Sequence, residues 1–498
     1  MSQFPEQVLL EDLLMPWLKV NTPPIQVSGI TLDSRSVSNG DLFVAIQGAL
    51  MDGRTYINNA IKSGACAVLS ETKNEQKHGQ VEILSGVTII QIYQLPMILS
   101  ELAYRFYFSN IELHKVVAIT GTNGKTTIAS LLANCCDLLG KKSAQMGTIG
   151  NGLFGQLKSS LNTTLDPISV FSELREYQQQ SVQYTFMEVS SHGLYQDRVT
   201  ALPFHSAIFT NLTRDHLDYH ESMENYEQAK KSLFSDYPLK HRIINADDPT
   251  GSRWLKDFPD AIAYGFNAEV TDIDKPYLHV SDVNYHAQGV NFNFQSSWGD
   301  GEISAPFYGD FNVSNLAAVL TQLLVEDVTI KQAEHIFPKL TMVPGRMEQY
   351  HFEPQAITFV VDYAHTPDAL KNALLALQKH KSEGRLICVF GCGGDRDKGK
   401  RPEMAKVAES YAQKVVLVDD NPRTENSDQI MNDIMQGFIN KDAVEIIHQR
   451  QRAVKHLLAT AQVGDIVLLA GKGHEDYQII GNQRIHYSDR ELLASLQD

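Results

Sequence analysis

Short apolar runs separated by polar loops recur along most of this sequence. Runs such as Val116–Ile119, Phe186–Val189 and Ala207–Thr210 have the length of buried strands. Each run ends in a polar or glycine-containing loop, and residues at helical spacing follow the first of them. In an open parallel sheet such loops line the carboxyl edge, where ligands bind. The pattern therefore predicts an α/β fold with its chemistry at the strand ends.

The last third of the chain repeats this alternation. Four apolar runs, separated by helical segments, lie at residues 358–361, 385–390, 414–418 and 465–470. This alternation predicts a parallel, Rossmann-like sheet. The segment that begins near residue 309 is expected to stay helical to about Leu340, and the break at Met342–Arg346 contains Pro344 and Gly345, which fit a hinge.

Chain length adds a domain count. At 498 residues the chain exceeds one hydrophobic core, and about 150 residues per domain predicts three. The first region mixes short strands and helices, which predicts a small α/β module. We place the domains at residues 1–110, 111–342 and 343–498.

A phosphate-binding loop is predicted directly after the run Val116–Ile119. Its sequence is Gly121-Thr122-Asn123-Gly124-Lys125-Thr126-Thr127. The glycines allow backbone N–H groups to face an anion, Lys125 suits the β/γ-phosphates, and the Thr126 hydroxyl suits Mg²⁺. Ile119 stands where the usual first glycine falls, so the loop is a shortened variant. A glycine turn before an ordinary helix is the alternative, and the strand-loop-helix context favours nucleotide binding.

Net charge, apolar runs and cysteine count restrict the classes of partner and the cellular compartment that we expect. The net charge of −16 disfavours a nucleic-acid or anionic-membrane surface. The first 20 residues are acidic where a signal peptide is basic, their apolar spacing favours an amphipathic helix, and no apolar run approaches the roughly 20 residues of a membrane span. Five cysteines in so long a chain favour structural thiols over disulfides or zinc ligands. We therefore expect a cytoplasmic protein.

The polar residues after the strands of the middle region suggest a metal site. Glu188 emerges from an apolar run and is costly to bury without a cation, and His216 can serve as a further ligand. His220, one helical turn later, is predicted to be a surface residue. The neighbouring lysines Lys230 and Lys231 lie on an amphipathic segment where lysines are ordinarily solvated.

Other polar clusters allow two interpretations each. Asn312 and Asn315 suit either a helix cap or a nucleotide contact. The cluster at Asp33-Ser34-Arg35 is explained by turn hydrogen bonds as well as by ligand binding. Arg396 and Arg423 lie on neighbouring loops, and their guanidinium groups suit carboxylate or phosphate.

These motifs in one order resemble the Mur ligases, the ATP-dependent amide ligases of cytoplasmic peptidoglycan precursor synthesis. The shared segments are GTNGKTT, MEVSSHGL, TNLTRDHLDYH, YEQAKKSLF, PGRME, DYAHTPD, GCGGDRDKGKR and AGKGHEDYQ. DSRSVSNGDLFVAIQG and DNPR resemble the branch that adds the third residue of the peptide. The resemblance spans nearly the whole chain.

The resemblance implies a fold and a reaction. The fold is a UDP-binding α/β domain, a central P-loop ATPase with a mostly parallel sheet, and a Rossmann-like amino-acid-binding domain. ATP phosphorylates the D-glutamate carboxylate of UDP-N-acetylmuramoyl-L-alanyl-D-glutamate, and the amine of meso-2,6-diaminopimelate attacks the acyl phosphate. Catalysis of this kind rests on positioning and charge neutralisation.

The resemblance also implies the roles of individual residues. ATP is held by the phosphate loop, Gly121 to Thr127, and by Asn312, Asn315, Arg346, Asp362 and His365. Mg²⁺ is held by Thr126, Glu188, His216 and Lys230, the last as a carbamate. The UDP-linked peptide meets Ser34, Asn162, Thr163, Thr164, Ser190, Gln196 and Arg198. The acceptor meets Arg396, Asp420, Asn421, Pro422, Arg423, Gly471 and Glu475.

The acceptor and the reaction each leave an alternative. Diaminopimelate has a second carboxylate for Arg423, whereas L-lysine does not. The same ATPase core also occurs in folylpolyglutamate synthetases, and a non-catalytic nucleotide-binding module is a rival of another class. We expect a monomer.

Overall fold

The structure is a computed structural model that describes residues 7–19, 23–48, 51–109, 111–160, 162–266, 275–286, 288–353, 356–380 and 384–497. The chain divides into two compact units. Unit 1 comprises Met1–Lys125, Cys136–Ile244 and Asp248–Ala261, and unit 2 comprises Thr126–Cys135, Asn245–Asp247 and Ile262–Asp498.

The first region of unit 1 is a small α/β module, as predicted. Its elements are β1 (Val8–Leu9), α1 (Leu10–Leu14), β2 (Gln26–Val27), β3 (Gly29–Thr31), β4 (Asp41–Ala45), α2 (Ile57–Ser63), β5 (Ala67–Thr72), β6 (Val81–Leu84), β7 (Val87–Tyr93) and α3 (Leu95–Phe108). The sheet order is β3-β4-β5-β7-β6, with only β6 antiparallel to its neighbour. Of the amphipathic helix expected over residues 1–20, α1 is present, while residues 1–6 and 20 lie outside the described residues.

A second sheet carries the phosphate loop. The elements are β8 (Lys115–Thr120), α4 (Lys125–Leu138), β9 (Ser143–Gly147), β10 (Gly150–Leu153), β11 (Gln156–Lys158), α5 (Pro167–Gln179), β12 (Tyr184–Glu188), α6 (Ser191–Tyr195), β13 (Ser206–Phe209), α7 (Leu217–His220), α8 (Met223–Ser235), β14 (His241–Asn245) and α9 (Pro249–Asp257). In unit 1, β9, β12, β8, β13 and β14 run parallel in that order, so the loops after β8, β12 and β13 share one edge.

From Ile262 onward, unit 2 contains an antiparallel ribbon that the sequence patterns did not predict. The elements of this stretch are β15 (Ile262–Gly265), β16 (Tyr277–His286), β17 (Gly289–Ser296), β18 (Gly301–Ala305), α10 (Asp310–Val325) and α11 (Ile330–Ile336). Strands β16, β17 and β18 pair antiparallel. The segment expected to stay helical to about Leu340 is present with one interruption: Asp327 is left-handed at φ 61°, Thr329 forms a capping box that starts α11, and a 3₁₀ turn, Phe337–Lys339, follows α11.

The predicted Rossmann-like sheet is present in the rest of unit 2. Its elements are β19 (Glu348–Phe352), β20 (Ile357–Asp362), α12 (Pro367–His380), β21 (Leu386–Phe390), α13 (Lys400–Tyr411), β22 (Lys414–Leu417), α14 (Ser427–Met435), β23 (Val444–Ile446), α15 (Arg450–Thr460), β24 (Ile466–Ala470), β25 (Tyr477–Ile480), β26 (Gln483–His486) and α16 (Asp489–Gln497). The order is β19-β20-β24-β21-β22-β23, and only β19 is antiparallel.

Both faces of this sheet are covered. Alternate strand residues such as Val360 and Leu468 pack with α12, α13 and α14, while Phe359 and Val467 pack with α15 and α16. Two-sided burial explains why these strands read as continuous apolar runs. The four polar loops after β20, β24, β21 and β22 consequently lie side by side along one edge.

Two smaller expectations concern the thiols and the membrane. The five cysteines, all within the described residues, are reduced, and Cys135, Cys136, Cys388 and Cys392 are buried, as predicted. Within the described part of the chain, every helix is too short or too polar to span a bilayer.

A buried ion pair joins α15 and α16 beside the end of β24. Arg450 Nη2 lies 2.6 Å from Asp489 Oδ2, and the two side chains are 2% and 0% exposed. The same Nη2 donates to the carbonyl of Ala470 at 3.2 Å. The pair therefore fixes two helices against the strand that leads into Gly471.

Asp489→Asn should destabilise unit 2 strongly, because it leaves the Arg450 guanidinium buried without an anion. We expect a loss of about 3 kcal/mol in the free energy of unfolding, measured from urea unfolding followed by circular dichroism. Asp476→Asn is the control: it removes the exposed 3.5 Å ion pair with Arg484 and should change stability by less than about 0.5 kcal/mol. Equal losses in the two variants would contradict the assignment.

Candidate active site

The loop that follows β13 contacts the phosphate loop and hydrogen-bonds to its backbone. Gly121 has φ +145°, and a Cβ there would collide with the Thr210 side chain. Thr122 N donates to the carbonyl of Asn211 at 2.8 Å, and Asn123 N donates to Asn211 Oδ1 at 2.9 Å. Thr210 and Asn211 were not singled out in the sequence, although their position at the end of a neighbouring strand was a usable signal.

Lys125 folds back over the loop. Its Nζ donates to the carbonyls of Gly121 and Thr122, both at 2.9 Å. Gly124 is left-handed at φ +91°, and Thr126 and Thr127 are buried in the first turn of α4. A lysine that lies over a glycine-containing loop at a helix start suits phosphate binding.

Glu188 is buried, as its position after an apolar run predicted. It is 1% exposed, and its carboxylate accepts hydrogen bonds from Thr148 N at 2.9 Å and Thr148 Oγ1 at 3.1 Å. A Cβ at position 147 would collide with this carboxylate, so Gly147 makes the arrangement possible. Thr148 was missed in the sequence. Carboxylate and hydroxyl oxygens are ligands that Mg²⁺ prefers. The Glu188 carboxylate and the Thr148 hydroxyl beside it therefore fit that ion.

His216 and His220, four residues apart, differ in their exposure. His216 is about half exposed, with its side chain at 45%, and its Nε2 lies 3.5 Å from Asp215 Oδ2. His220, predicted to be a surface residue, is 3% exposed, and its Nε2 lies 2.9 Å from Ser191 Oγ. The prediction was wrong because α7 is a single short turn that starts at left-handed His216 and points His220 inward.

The structure separates the two lysines that the sequence could not distinguish. Lys231 makes a 2.7 Å ion pair with Asp257. Lys230 is 1% exposed, and its Nζ donates to the carbonyl of Gly121 at 2.9 Å. Burial, and next the charge of Lys125, hold the pKa of Lys230 well below its usual value. A buried amine of this kind favours its neutral, nucleophilic form.

A hydrogen-bond network joins several residues predicted to bind the UDP-linked peptide. Thr164 Oγ1 donates to the carbonyl of Glu188 at 3.0 Å and lies 3.1 Å from Ser190 Oγ. Arg198 Nη1 donates to the carbonyl of Thr164 at 2.5 Å, and its Nη2 donates to Gln196 Oε1 at 2.5 Å. Burial lowers the pKa of Arg198.

The other residues predicted to bind the UDP-linked peptide are Asn162, Thr163 and Ser34. Asn162 and Thr163 directly precede Thr164, whereas Ser34 lies in the N-terminal α/β module. Thr163 Oγ1 lies 3.1 Å from Thr148 Oγ1, and Asn162 is exposed just before it. Ser34 lies partly exposed in the turn after β3, where Asp33 and Arg35 form a 2.7 Å ion pair. Arg35 N donates to Asp33 Oδ1 at 2.9 Å and Ser36 N donates to the carbonyl of Asp33 at 3.0 Å, so the turn hydrogen bonds expected for Asp33 are present.

In unit 2, Asn312 and Asn315 are not helix caps. The cap of α10 is Gly309, with φ +88°, and both asparagines are buried within the helix. Asn312 Nδ2 donates to the carbonyl of Tyr308 at 2.9 Å, and Asn315 Nδ2 donates to Asn312 Oδ1 at 3.2 Å.

A second cluster of unit 2 surrounds Arg346. Its guanidinium lies 4.9 Å from the centre of the Tyr363 ring, and its Nε is buried without a hydrogen-bond partner among the described residues. Asp362 accepts from Met347 N at 2.8 Å and from Ala364 N at 2.9 Å, and burial raises the pKa of Asp362.

Two histidines complete this cluster. Burial lowers the pKa of His365, whose Nδ1 lies 2.8 Å from the carbonyl of Tyr363. Burial, and next the charge of Arg346, lower the pKa of His474 to about 4. His474 was not singled out in the sequence, although it lies in a polar loop at the end of β24.

The loops after β21 and β22 hold the two predicted arginines. Arg423 is left-handed at φ +51°, and its Nη1 donates to the carbonyl of Gly394 at 2.8 Å. Arg396 lies exposed on the neighbouring loop, while Asn421 and Pro422 are buried.

The loop after β24 contributes a residue that sequence reasoning missed. Lys472 is 0% exposed and lies 3.2 Å from Asp420 Oδ1 and 3.3 Å from Glu475 Oε2. In the sequence, Lys472 is a charged residue close behind the apolar run of a buried strand. Glu188 was identified from a similar position. Gly471, with φ +107°, makes the turn from the strand.

Comparison with protein families gives three matches along the chain. Residues 26–107 match the Mur ligase family catalytic domain, residues 119–323 the Mur ligase middle domain, and residues 345–473 the Mur ligase glutamate ligase domain.

Comparison with individual proteins gives near full-length similarity. The chain is 48% identical over 468 residues to the UDP-N-acetylmuramoyl-L-alanyl-D-glutamate–2,6-diaminopimelate ligase of Haemophilus influenzae, covering 94% of this chain and 96% of that protein. A solved structure of a ligase with the same name has a TM-score of 0.72 at 35% identity and covers 98% of each chain. The MurF ligase of Thermotoga maritima in complex with ADP has a TM-score of 0.64 at 19% identity, over 90% and 94% of the two chains, and shows the shared fold.

Gly121→Ala should weaken nucleotide binding, because the new Cβ collides with Thr210 and lies 3.0 Å from the Asn211 backbone. We expect at least about a tenfold loss of affinity, roughly the worth of one hydrogen bond to a charged group, measured by titration with a fluorescent ATP analogue. Gly140→Ala is the control, since Gly140 also has positive φ, +70°, but a Cβ there meets nothing within 4 Å. If both variants lose affinity equally, backbone strain rather than the collision is responsible.

Proposed function

The chain belongs to the Mur ligase family of ATP-dependent amide ligases, and we propose that it adds meso-2,6-diaminopimelate to UDP-N-acetylmuramoyl-L-alanyl-D-glutamate. The observation that carries this proposal is the full-length similarity to ligases of that name, together with the charged loops of unit 2 that suit a second amino-acid head. The reaction consumes ATP and releases ADP and phosphate through an acyl phosphate on the D-glutamate. It belongs to cytoplasmic peptidoglycan precursor synthesis, and the protein acts there as a monomer.

The phosphate loop and the polar residues predicted with it activate the carboxylate. Lys125 neutralises the β/γ-phosphates from the start of α4, and the N–H groups of the phosphate loop, Gly121 to Thr127, orient them. Glu188, His216 and the hydroxyl of Thr126 are the proposed Mg²⁺ ligands. Bound there, Mg²⁺ neutralises charge on the phosphates. Thr148 holds Glu188 in place through its N–H and hydroxyl.

Lys230 provides a further metal ligand after carbamylation. A neutral amine attacks carbon dioxide, loses a proton and becomes a carbamate, whose two oxygens are acceptable to Mg²⁺. Complete burial and the charge of Lys125, which together lower the pKa of Lys230, favour the neutral amine this step requires.

The other proposed substrate contacts follow the clusters described above. The muramoyl dipeptide contacts the network of Thr164, Ser190, Gln196 and Arg198, with Asn162 and Thr163, and the UDP group meets Ser34. The adenine and ribose contact Asn312, Asn315, Arg346, Asp362 and His365. The buried Nε of Arg346, unpaired within the described residues, supports a polar ligand at that position.

The acceptor binds along the carboxyl edge of the Rossmann-like sheet. Arg423 pairs with the distal carboxylate of diaminopimelate, and Glu475 and Asp420 accept from the distal ammonium. Arg396, Asn421, Pro422 and Gly471 complete the pocket. L-lysine lacks the distal carboxylate and would leave Arg423 unpaired, which disfavours it.

The domains keep their proposed bounds at residues 1–110, 111–342 and 343–498. The segment Met342–Arg346 lies outside the helices and strands, and Gly345 there has φ +65°. These features support a boundary at this point.

The acceptor proposal is tested by phosphate release with UDP-N-acetylmuramoyl-L-alanyl-D-glutamate and ATP. We expect meso-diaminopimelate to give at least about a hundredfold higher kcat/KM than L-lysine, because an unpaired charged group costs about 3 kcal/mol. Equal or higher activity with L-lysine would refute the acceptor assignment. Activity with a folate substrate instead would indicate a folylpolyglutamate synthetase, and hydrolysis indifferent to the UDP-linked peptide would indicate a non-catalytic module.

Lys230→Ala should abolish ligation, because a metal ligand is lost. Short carboxylic acids added to this variant should restore part of the activity, since they replace the carbamate oxygens. Lys231→Ala is the matched control and should retain activity, because Lys231 pairs with Asp257 at the surface. Full activity of Lys230→Ala in the same phosphate-release assay would refute the carbamate role.

A further inference from the structure

Lys472 lies completely buried among four oxygen atoms. Besides its ion pairs with Asp420 and Glu475, its Nζ donates to Asn421 Oδ1 at 2.9 Å and to the carbonyl of Tyr477 at 2.7 Å. An ammonium has three protons, so these acceptors satisfy it fully. Because its side chain is 0% exposed, Lys472 acts on ligands only through its neighbours.

Lys472 fixes the orientation of Asn421. Asn421 Oδ1 accepts from Lys472 and also from Ile479 N at 2.9 Å. Two donors on one atom determine which end of the amide is the oxygen. The other end, Nδ2, consequently faces Glu475 Oε2 at 3.2 Å.

Glu475 is held from three sides. Lys472 and Asn421 contact its Oε2, and the Tyr477 hydroxyl donates to its Oε1 at 3.4 Å. With Asp420, the group contains two carboxylates and one ammonium, which leaves one negative charge uncompensated. That charge matches a single ammonium on a ligand whose carboxylate binds Arg423.

We propose that Lys472 is a positioning residue that sets acceptor specificity, by holding the Glu475 carboxylate aligned for the distal ammonium of the acceptor. This inference rests on the proposed function. Without Lys472, the carboxylates of Asp420 and Glu475 would lose the cation between them and repel each other, and Asn421 would lose one of the two donors that orient it. Acceptor binding would suffer, whereas ATP and the UDP-linked peptide use other residues.

The test is Lys472→Met, assayed by phosphate release. We expect the KM for diaminopimelate to rise at least about tenfold, while the KM values for ATP and the UDP-linked peptide change less than about twofold. Lys414→Met is the control; it removes the 2.9 Å ion pair with Glu445 and should alter none of these values.

An unchanged KM for diaminopimelate, or an equal rise in all three KM values, would overturn the proposal. If Lys472→Met does not fold, Glu475→Gln is compared with the double variant Glu475→Gln, Lys472→Met. We expect the second change to add less than about threefold to the KM once Glu475 is neutral. A further tenfold rise would show that Lys472 does not act through Glu475.

The wild-type acceptor assay separates this inference from the proposed function. If the wild type prefers another amino acid, the diaminopimelate assignment fails. The role of Lys472 is then tested by the KM of Lys472→Met for the preferred amino acid. A KM equal to that of the wild type overturns the proposed role.

Discussion

Covering a parallel sheet on both faces restricts where polar chemistry can occur. In the Rossmann-like sheet, side chains of alternate strand residues pack against helices on opposite faces, so the strands offer no polar surface of their own. Functional side chains are therefore confined to the strand ends and the loops after them. The same constraint applies in unit 1, where Glu188 is the last residue of β12 and the phosphate loop follows β8. Both clusters of charged residues follow from how the sheets are buried.

The two buried lysines, Lys472 and Lys230, differ in how far their surroundings compensate a positive charge. Lys472 is surrounded by two carboxylates and two further oxygens, so its ammonium is compensated. Lys230 has a backbone carbonyl and the face of the Tyr226 ring, 4.8 Å away, as its contacts among the described residues. An uncompensated ammonium is costly in that setting. Lys472 thus suits a permanent structural charge, whereas Lys230 suits an amine that gains its charge by modification.

Sequence patterns predicted what depends on neighbours along the chain and missed what depends on neighbours in space. The strands before Gly121, Val189 and Asp362 and the burial of Glu188 followed from local apolar runs. The burial of His220 did not, because it depends on a short helix packing against α6 and α8. The distinction between Lys230 and Lys231 required knowing which face of α8 is covered. The ribbon β16 to β18 was missed because its alternating residues are half exposed and form no apolar run.

The left-handed backbone of Arg423 links these constraints to selectivity. A non-glycine residue at φ +51° is held by its surroundings: its N–H donates to the carbonyl of Ile479 at 3.0 Å, and its carbonyl accepts from Gly481 N at 2.7 Å. Strands β25 and β26, which follow the loop of Lys472 and Glu475, thus fix the backbone of Arg423. In the proposed function, the cation for the acceptor carboxylate and the anion for its ammonium are consequently positioned by one segment, residues 471–486. A ligand that carries both charges at the matching spacing satisfies both groups, and a ligand lacking either leaves a partly buried charge unpaired.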